Sequence, residues 1–287
     1  MKKIISILAV IIVVCAVFFN RVRVLTIYDE WREPALPEAV AWEETVPNDD
    51  AMSSDIQGDP STPGVPFAQN DDTTPQPPTF QGGGVPLEYN LAVPFQSQAP
   101  RANWDLPYQE ACEEASLIMA HAFFNGTGLT ADSMETSINK LVDWEMETFG
   151  YYKDTTSKEV ELMAKEYFGL SAELDYEVSA DNIKKYISQN KLVLVPAAGR
   201  MLPNPYFSGD GPLYHMLIIR GYTLNGKFIT NDPGTKRGEA FLYSYDDLLN
   251  AIHDWPRAHG GYKDNVSEQE MASGELVMIV VDKQRGL

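Results

Sequence analysis

The order of periodicities along the chain constrains its fold more than any single residue. Over residues 111–124, Ala131–Thr148 and 157–168 the sequence reads as three helices in succession. In the first, Ala115, Ile118, Met119, Ala122 and Phe123 recur at three- and four-residue steps, the stripe of a helix with one buried face. Gly126 and Gly128 follow as stops, and Thr130 or Asp132 caps the second helix. Strand patterns come mostly later. Residues 172–178 alternate, while 191–196 and 275–282 are continuous apolar runs. Tyr214–Tyr222 and Lys227–Asn231 flank an Asn225-Gly226 turn, a hairpin signal. Residues 91–95 form a short extended lead-in, and 179–188 and 245–253 read as further helices. Helices first and strands later predict an α+β fold built on an antiparallel sheet.

That fold occupies residues 87–287, about 200 residues, enough to bury most of its surface without disulfides. Residues 28–86 are different material, with Arg32 as the sole basic residue and pieces such as GDPSTPGVP and NDDTTPQPP. Too few large apolar side chains recur to offset chain entropy, which predicts a disordered, self-repelling linker. Trp42 there reads as incidental, and Trp31 as incidental or interfacial. Residues 1–27 open with Lys2 and Lys3, then run apolar from Ile4 to Phe19 with Ser6 the one polar residue. Arg21 and Arg23 follow, with no small-residue cleavage site. The expectation is an uncleaved single-pass membrane anchor, with a cleaved signal peptide and secretion as the alternative. Lys2 and Lys3 inside would put the bulk of the chain outside the cytoplasm.

A formal net charge of -19, with no basic cluster, argues against a nucleic-acid partner. The two cysteines also narrow the chemistry. Cys15 lies within the apolar run, so Cys112 is left as a lone thiol, and neither a disulfide nor a thiolate zinc cluster is expected. Cys112 falls in the first turn of its helix, where free N–H groups and the dipole favour thiolate. The bland alternative is a small buried hydrophobe.

Four histidines could serve that thiol as a base. His121 is nine residues along the same helix, about 13 Å away and too far. His253 and His259 lie in polar surroundings and read as surface residues. His215 opens the apolar run HMLIIRGY after a Gly/Pro-rich approach, at a sheet edge where a cleft forms. Its alternative is a hydrogen-bonded core histidine. A hairpin turning at Asn225-Gly226 brings Asp232 back beside His215, where a carboxylate accepts the ring N–H and fixes the tautomer. Asp232-Pro233-Gly234 is also an ordinary turn sequence. Gln98, fourteen residues before Cys112, offers an amide for an oxyanion hole, with Gln96 and Gln109 as competitors.

VPFQSQ, a cysteine opening a helix with Ala115-Ser116 after it, YHMLIIRGY and NDPG together resemble the bacteriocin (double-glycine) leader-peptidase branch of papain-like cysteine peptidases. The likeness is to stand-alone domains without a transporter, since no ATP-binding cassette follows. It covers about residues 93–282. The resemblance implies a papain-like α+β fold, with the cysteine helix on an antiparallel sheet, no metal and no organic cofactor. It also implies Gln98 as oxyanion donor, Cys112 as nucleophile, His215 as base and Asp232 as orienting group. Glu113 and Glu114 depart from it, standing where the family usually has Gly-Pro. A Pro/Trp-rich insertion between Pro100 and Pro107 departs as well, and puts Trp104 at the cleft or in the core.

Two function classes follow. One is a membrane-anchored extracytoplasmic thiol hydrolase that cleaves a peptide or related amide bond, with Trp104 and Tyr214 as substrate contacts among many aromatics. The other is an inactive surface module that binds peptide or cell wall through the same cleft. Substrate specificity and oligomeric state leave no readable trace.

Overall fold

The computed structural model describes residues 35–42, 84–256 and 263–284. The anchor expected at residues 1–27 lies outside them, as do His259 and Trp31. Among the described residues no helix is long and apolar enough to cross a membrane.

The helix-then-strand order holds. Helices α1 (Cys112–Phe124), α2 (Ala131–Thr148) and α3 (Ser157–Leu162) come first, and a wider turn at Met163–Tyr167 prolongs α3. After them come β2 (Ser171–Asp175), α4 (Ala180–Ser188), β3 (Leu192–Ala198), β4 (Tyr214–Tyr222) and β5 (Lys227–Asn231). The chain continues through β6 (Phe241–Ser244), α5 (Tyr245–Ala251), α6 (Glu268–Met271) and β7 (Met278–Asp282), and a two-residue β1 (Tyr89–Asn90) precedes α1. The pairings are antiparallel in the order β2-β7-β3-β4-β5-β6, with β1 added to β4.

Local chemistry sets the helix starts. Thr130 and Ser133 exchange side-chain and backbone bonds at the head of α2, and Ser179 and Ser244 accept N–H groups from Asn182 and Asp247. β6 and α6 leave no sequence signal, because both are too short to show a period. The helix expected over 245–253 stops at Ala251, since His253 donates its backbone N–H to Pro196 instead.

β3 and β4 are the centre. Every residue in them is buried, and α1 and α4 both pack on β4, so the strand is covered on both faces. That is why they read as unbroken apolar runs rather than alternation. Gly221 of β4 is required by close approach: a Cβ there would meet Tyr89 O at 2.5 Å.

The linker expectation needs a correction at residues 35–42. Val40 bridges Leu91 in parallel, donating to Asn90 O at 2.8 Å and accepting from Ala92 N at 2.7 Å. Trp42 sets its ring edge-on to Phe124, at 6.2 Å between centroids, with the Lys283 ammonium 4.1 Å above it. Trp42 is therefore a packing residue rather than an incidental aromatic. It lacks a periodic neighbourhood because its partners are far off in sequence.

Candidate active site

β4 and β5 turn at Asn225-Gly226, where Gly226 takes φ +82°. Ile218 faces Asn231 across the ladder, which places Asp232 opposite Leu217. Side chains alternate along a strand, so Asp232 shares a face with Leu217 and with His215 two residues away. The result is a His215 Nε2 to Asp232 Oδ1 hydrogen bond of 2.8 Å. Both side chains are almost wholly buried, at 1% and 0% exposure.

Asp232 is fully coordinated. Oδ1 also accepts the Gly234 N–H at 3.0 Å, and Oδ2 accepts from Asn204 Nδ2 at 3.0 Å and Tyr243 OH at 2.7 Å. Burial would raise its pKa, yet the His215 ring and these donors hold the carboxyl below its usual value. The same contact pushes the Tyr243 hydroxyl well up, after burial itself. Asn204 and Tyr243 carry no signal in the sequence. One lies in a loop and the other on a four-residue strand, and no local pattern marks either. Phe207 stands edge-on to the His215 ring at 5.5 Å. Gly234 leaves room for that ring: an added Cβ would come within 2.8 Å of His215 Cε1.

Cys112 is the first residue of α1, as expected, and is 6% exposed. The helix packs on β4, where Ser116 Oγ donates to Met216 O at 3.3 Å. The Met216 main chain, one residue after His215, lies near enough to lower the thiol's pKa slightly, the smallest of the influences on it. Cys112 and His215 line one cleft beside β4. The thiol, however, donates to Glu113 Oε2 at 2.9 Å rather than to His215.

The expectation of a thiolate is reversed. Burial first, and then the Glu113 charge and hydrogen bond, push the Cys112 thiol well above its ordinary value. The helix terminus contributes roughly 0.3–1 kcal/mol, whereas burial shifts a charged group by up to roughly 3–5 pKa units. Burial wins.

Gln98 is buried beside the cleft, but its amide nitrogen donates to Tyr108 O at 3.0 Å and Gln109 O at 3.1 Å. It braces the turn that delivers Cys112, and its own carbonyl oxygen finds no donor. Gln96 accepts the Ser97 N–H through its side-chain oxygen, and Gln109 is exposed. Trp104 is 43% exposed at the cleft wall, which places it at the cleft rather than in the core. Tyr214 is buried, and its hydroxyl donates to Thr155 O at 3.0 Å and Asp254 Oδ1 at 3.2 Å. Its neighbour Trp255 also reaches the cleft. His121 is engaged with Asn125, and His253 with Gly274 O, both apart from this site.

A cleft of about 1010 Å³ opens over these groups and is lined by Gln98, Trp104, Cys112, Glu113, His215 and Trp255, among others. Among the described residues no cluster of three or more His, Cys, Asp or Glu side chains is arranged to hold a metal ion. A lone cysteine heading a helix against an antiparallel sheet, with a histidine backed by a buried carboxylate lining the same cleft, is an arrangement a cysteine peptidase can use. The chain belongs to the Peptidase_C39 like family, whose model matches residues 90–262. A crystal structure described as a C39-like peptidase from Bacillus anthracis is similar at 16% identity and a TM-score of 0.43, covering 68% of this chain and 96% of that one. No curated protein matches the chain.

Proposed function

We propose that the protein is a thiol peptidase in which Cys112 attacks a peptide or related amide carbonyl, His215 moves the proton and Asp232 orients the ring. The single observation that carries this reading is the buried 2.8 Å His215–Asp232 pair, whose His215 lines the same cleft as the free thiol of Cys112. With Nε2 committed to Asp232, Nδ1 is the ring nitrogen left for the sulfur's proton. The thiolate adds to the carbonyl carbon, and the imidazolium returns its proton to the departing amine. Water then releases the acyl group from sulfur by the same route in reverse. Gln98 serves as oxyanion donor only when its amide turns from the Tyr108 and Gln109 carbonyls; as it stands it braces the turn ahead of Cys112. Trp104 lines the cleft as an exposed aromatic and is assigned to substrate contact, while Tyr214 supports the floor.

Replacement Cys112→Ala abolishes hydrolysis of a fluorogenic peptide pool under this reading. Undiminished turnover in that variant removes it. A second reading has one observation in its favour, the thiol held protonated against Glu113. In that reading the cleft binds peptide or cell-wall material without cleaving it, and binding survives Cys112→Ala. The apolar run of residues 4–19 supports a membrane-anchored, extracytoplasmic location. Protease protection of the intact cell's protein tests that placement: digestion of the domain from outside supports it, and full protection refutes it.

A further inference from the structure

Glu113 is the polar group in contact with the sulfur that the proposed mechanism does not use. Its side chain is 1% exposed and spans two elements. Oε2 accepts the Cys112 thiol at 2.9 Å, and Oε1 accepts the Thr155 N–H at 3.0 Å from the loop before α3. That loop is itself fixed: Thr155 O accepts the Tyr214 hydroxyl, which also reaches Asp254, and Asp254 accepts the Ser157 N–H at 3.0 Å. A continuous polar chain therefore runs from the sulfur through Glu113 to the tyrosine beside His215.

We propose that Glu113 governs the nucleophile: its carboxylate, anchored on the Thr155 N–H, holds Cys112 as a protonated resting thiol, and neutralising that carboxylate frees the sulfur for the imidazole. This rests on the peptidase reading but is measured at the thiol itself. The reason is electrostatic. Forming a thiolate here sets two anions in contact in a site from which water is excluded, and burial denies both the screening that would soften their repulsion. A neutral group in the same place removes the second charge. An amide does so with little change in shape: its oxygen still accepts from Thr155, and its nitrogen donates to the sulfur.

The acidic groups facing Glu113 ease its protonation. Glu114 on the same helix, Asp154 on the loop and Glu145 on α2 are all acidic and act on it or on its partners. Tyr214 and, through it, Asp254 face it from the other side. Burial first, and then Glu114, raise the Glu113 carboxyl well above its ordinary value. Proton uptake at Glu113, eased in this way, is the route by which its charge is removed.

The test is the rate of Cys112 alkylation by iodoacetamide in the full chain from about pH 5 to about pH 10, read at the Cys112 peptide by mass spectrometry, so that Cys15 does not interfere. In the unaltered protein the thiol titrates above the ordinary cysteine value of about 8.5. In Glu113→Gln the profile moves down by at least about one pH unit, giving roughly tenfold faster labelling at pH 7. Glu113→Asp keeps the charge and stays near the original profile. An unmoved or slower profile in Glu113→Gln, with melting showing a folded protein, overturns the proposal. If that variant does not fold, a thiol in the unaltered protein that titrates below 8.5 overturns it equally. Loss of the peptidase reading would appear separately, as turnover surviving Cys112→Ala with the alkylation shift intact.

Discussion

The two halves of the cleft handle buried charge in opposite ways. On the sheet side, Asp232 takes four donors, two on each oxygen, and stays ionised at no exposure. On the helix side, Glu114 and Glu145 lie buried between α1 and α2, and none of their four oxygens receives a donor from the rest of the protein. With no outside donor, both carboxyls favour the protonated form. Burial, followed for Glu145 by the charge of Glu114, pushes Glu114 up to about 8 and Glu145 up to about 12. The contrast shows that burial alone does not decide ionisation. The number of donors does.

Asp232→Ala breaks this contrast most severely. It strips His215, Asn204 and Tyr243 of their common acceptor, so peptidase turnover falls by roughly a hundredfold or more. Urea unfolding at neutral pH shows a loss of about 3 kcal/mol, the scale for a buried pair left with one partner. Retained turnover and stability would mean that the sheet-side network is ornamental.

Glu145→Gln sharpens the other half. Both carboxyls have folded-state pKa values above the unfolded value of about 4.3, so their contribution is complete below that pH and drains away as pH rises toward 8. The unaltered domain is thus expected to lose melting temperature steadily between about pH 5 and about pH 8. The amide carries no titrating proton and donates to an ionised Glu114, so the variant's curve is flatter over that range. Parallel curves for the two proteins would refute the protonated pair.

Tyr243→Phe removes one of Asp232's four donors and leaves the others. The expected cost is about 1.5 kcal/mol in denaturant titration, with turnover reduced several-fold. The smallest effect is expected far from the cleft. Trp42→Ala loses an edge contact with Phe124 and the Lys283 cation above the ring, at the end of α1 opposite Cys112. Melting should drop by the equivalent of about 1 kcal/mol while peptide turnover is unchanged. A change in turnover there would couple the strap to the site.

Much of this architecture is legible in one dimension. Cys112 at a helix start and the β4–β5 hairpin both follow from spacing, since a 3.6-residue stripe, an Asn-Gly turn and an alternation of two are local rules. The hairpin arithmetic also brings Asp232 to His215, because register is set by the turn. Asn204, Tyr243 and Thr155 were invisible for the opposite reason: each reaches the site from 28, 11 or 42 residues away from its partner, with no periodicity linking them. Trp42 and Phe124 are likewise distant in sequence, and the strap they form cuts across a stretch that composition marks as linker.

What the sequence by itself determined is the class of fold and the order of its chemistry, because backbone periodicity and turn residues act over a few positions. Only the tertiary structure decided the state of the thiol. The helix terminus pulls toward thiolate by a fraction of a kcal/mol or so, and exclusion of water together with the Glu113 carboxylate pulls harder the other way. Both of those depend on what the fold packs around the sulfur, which no local pattern encodes.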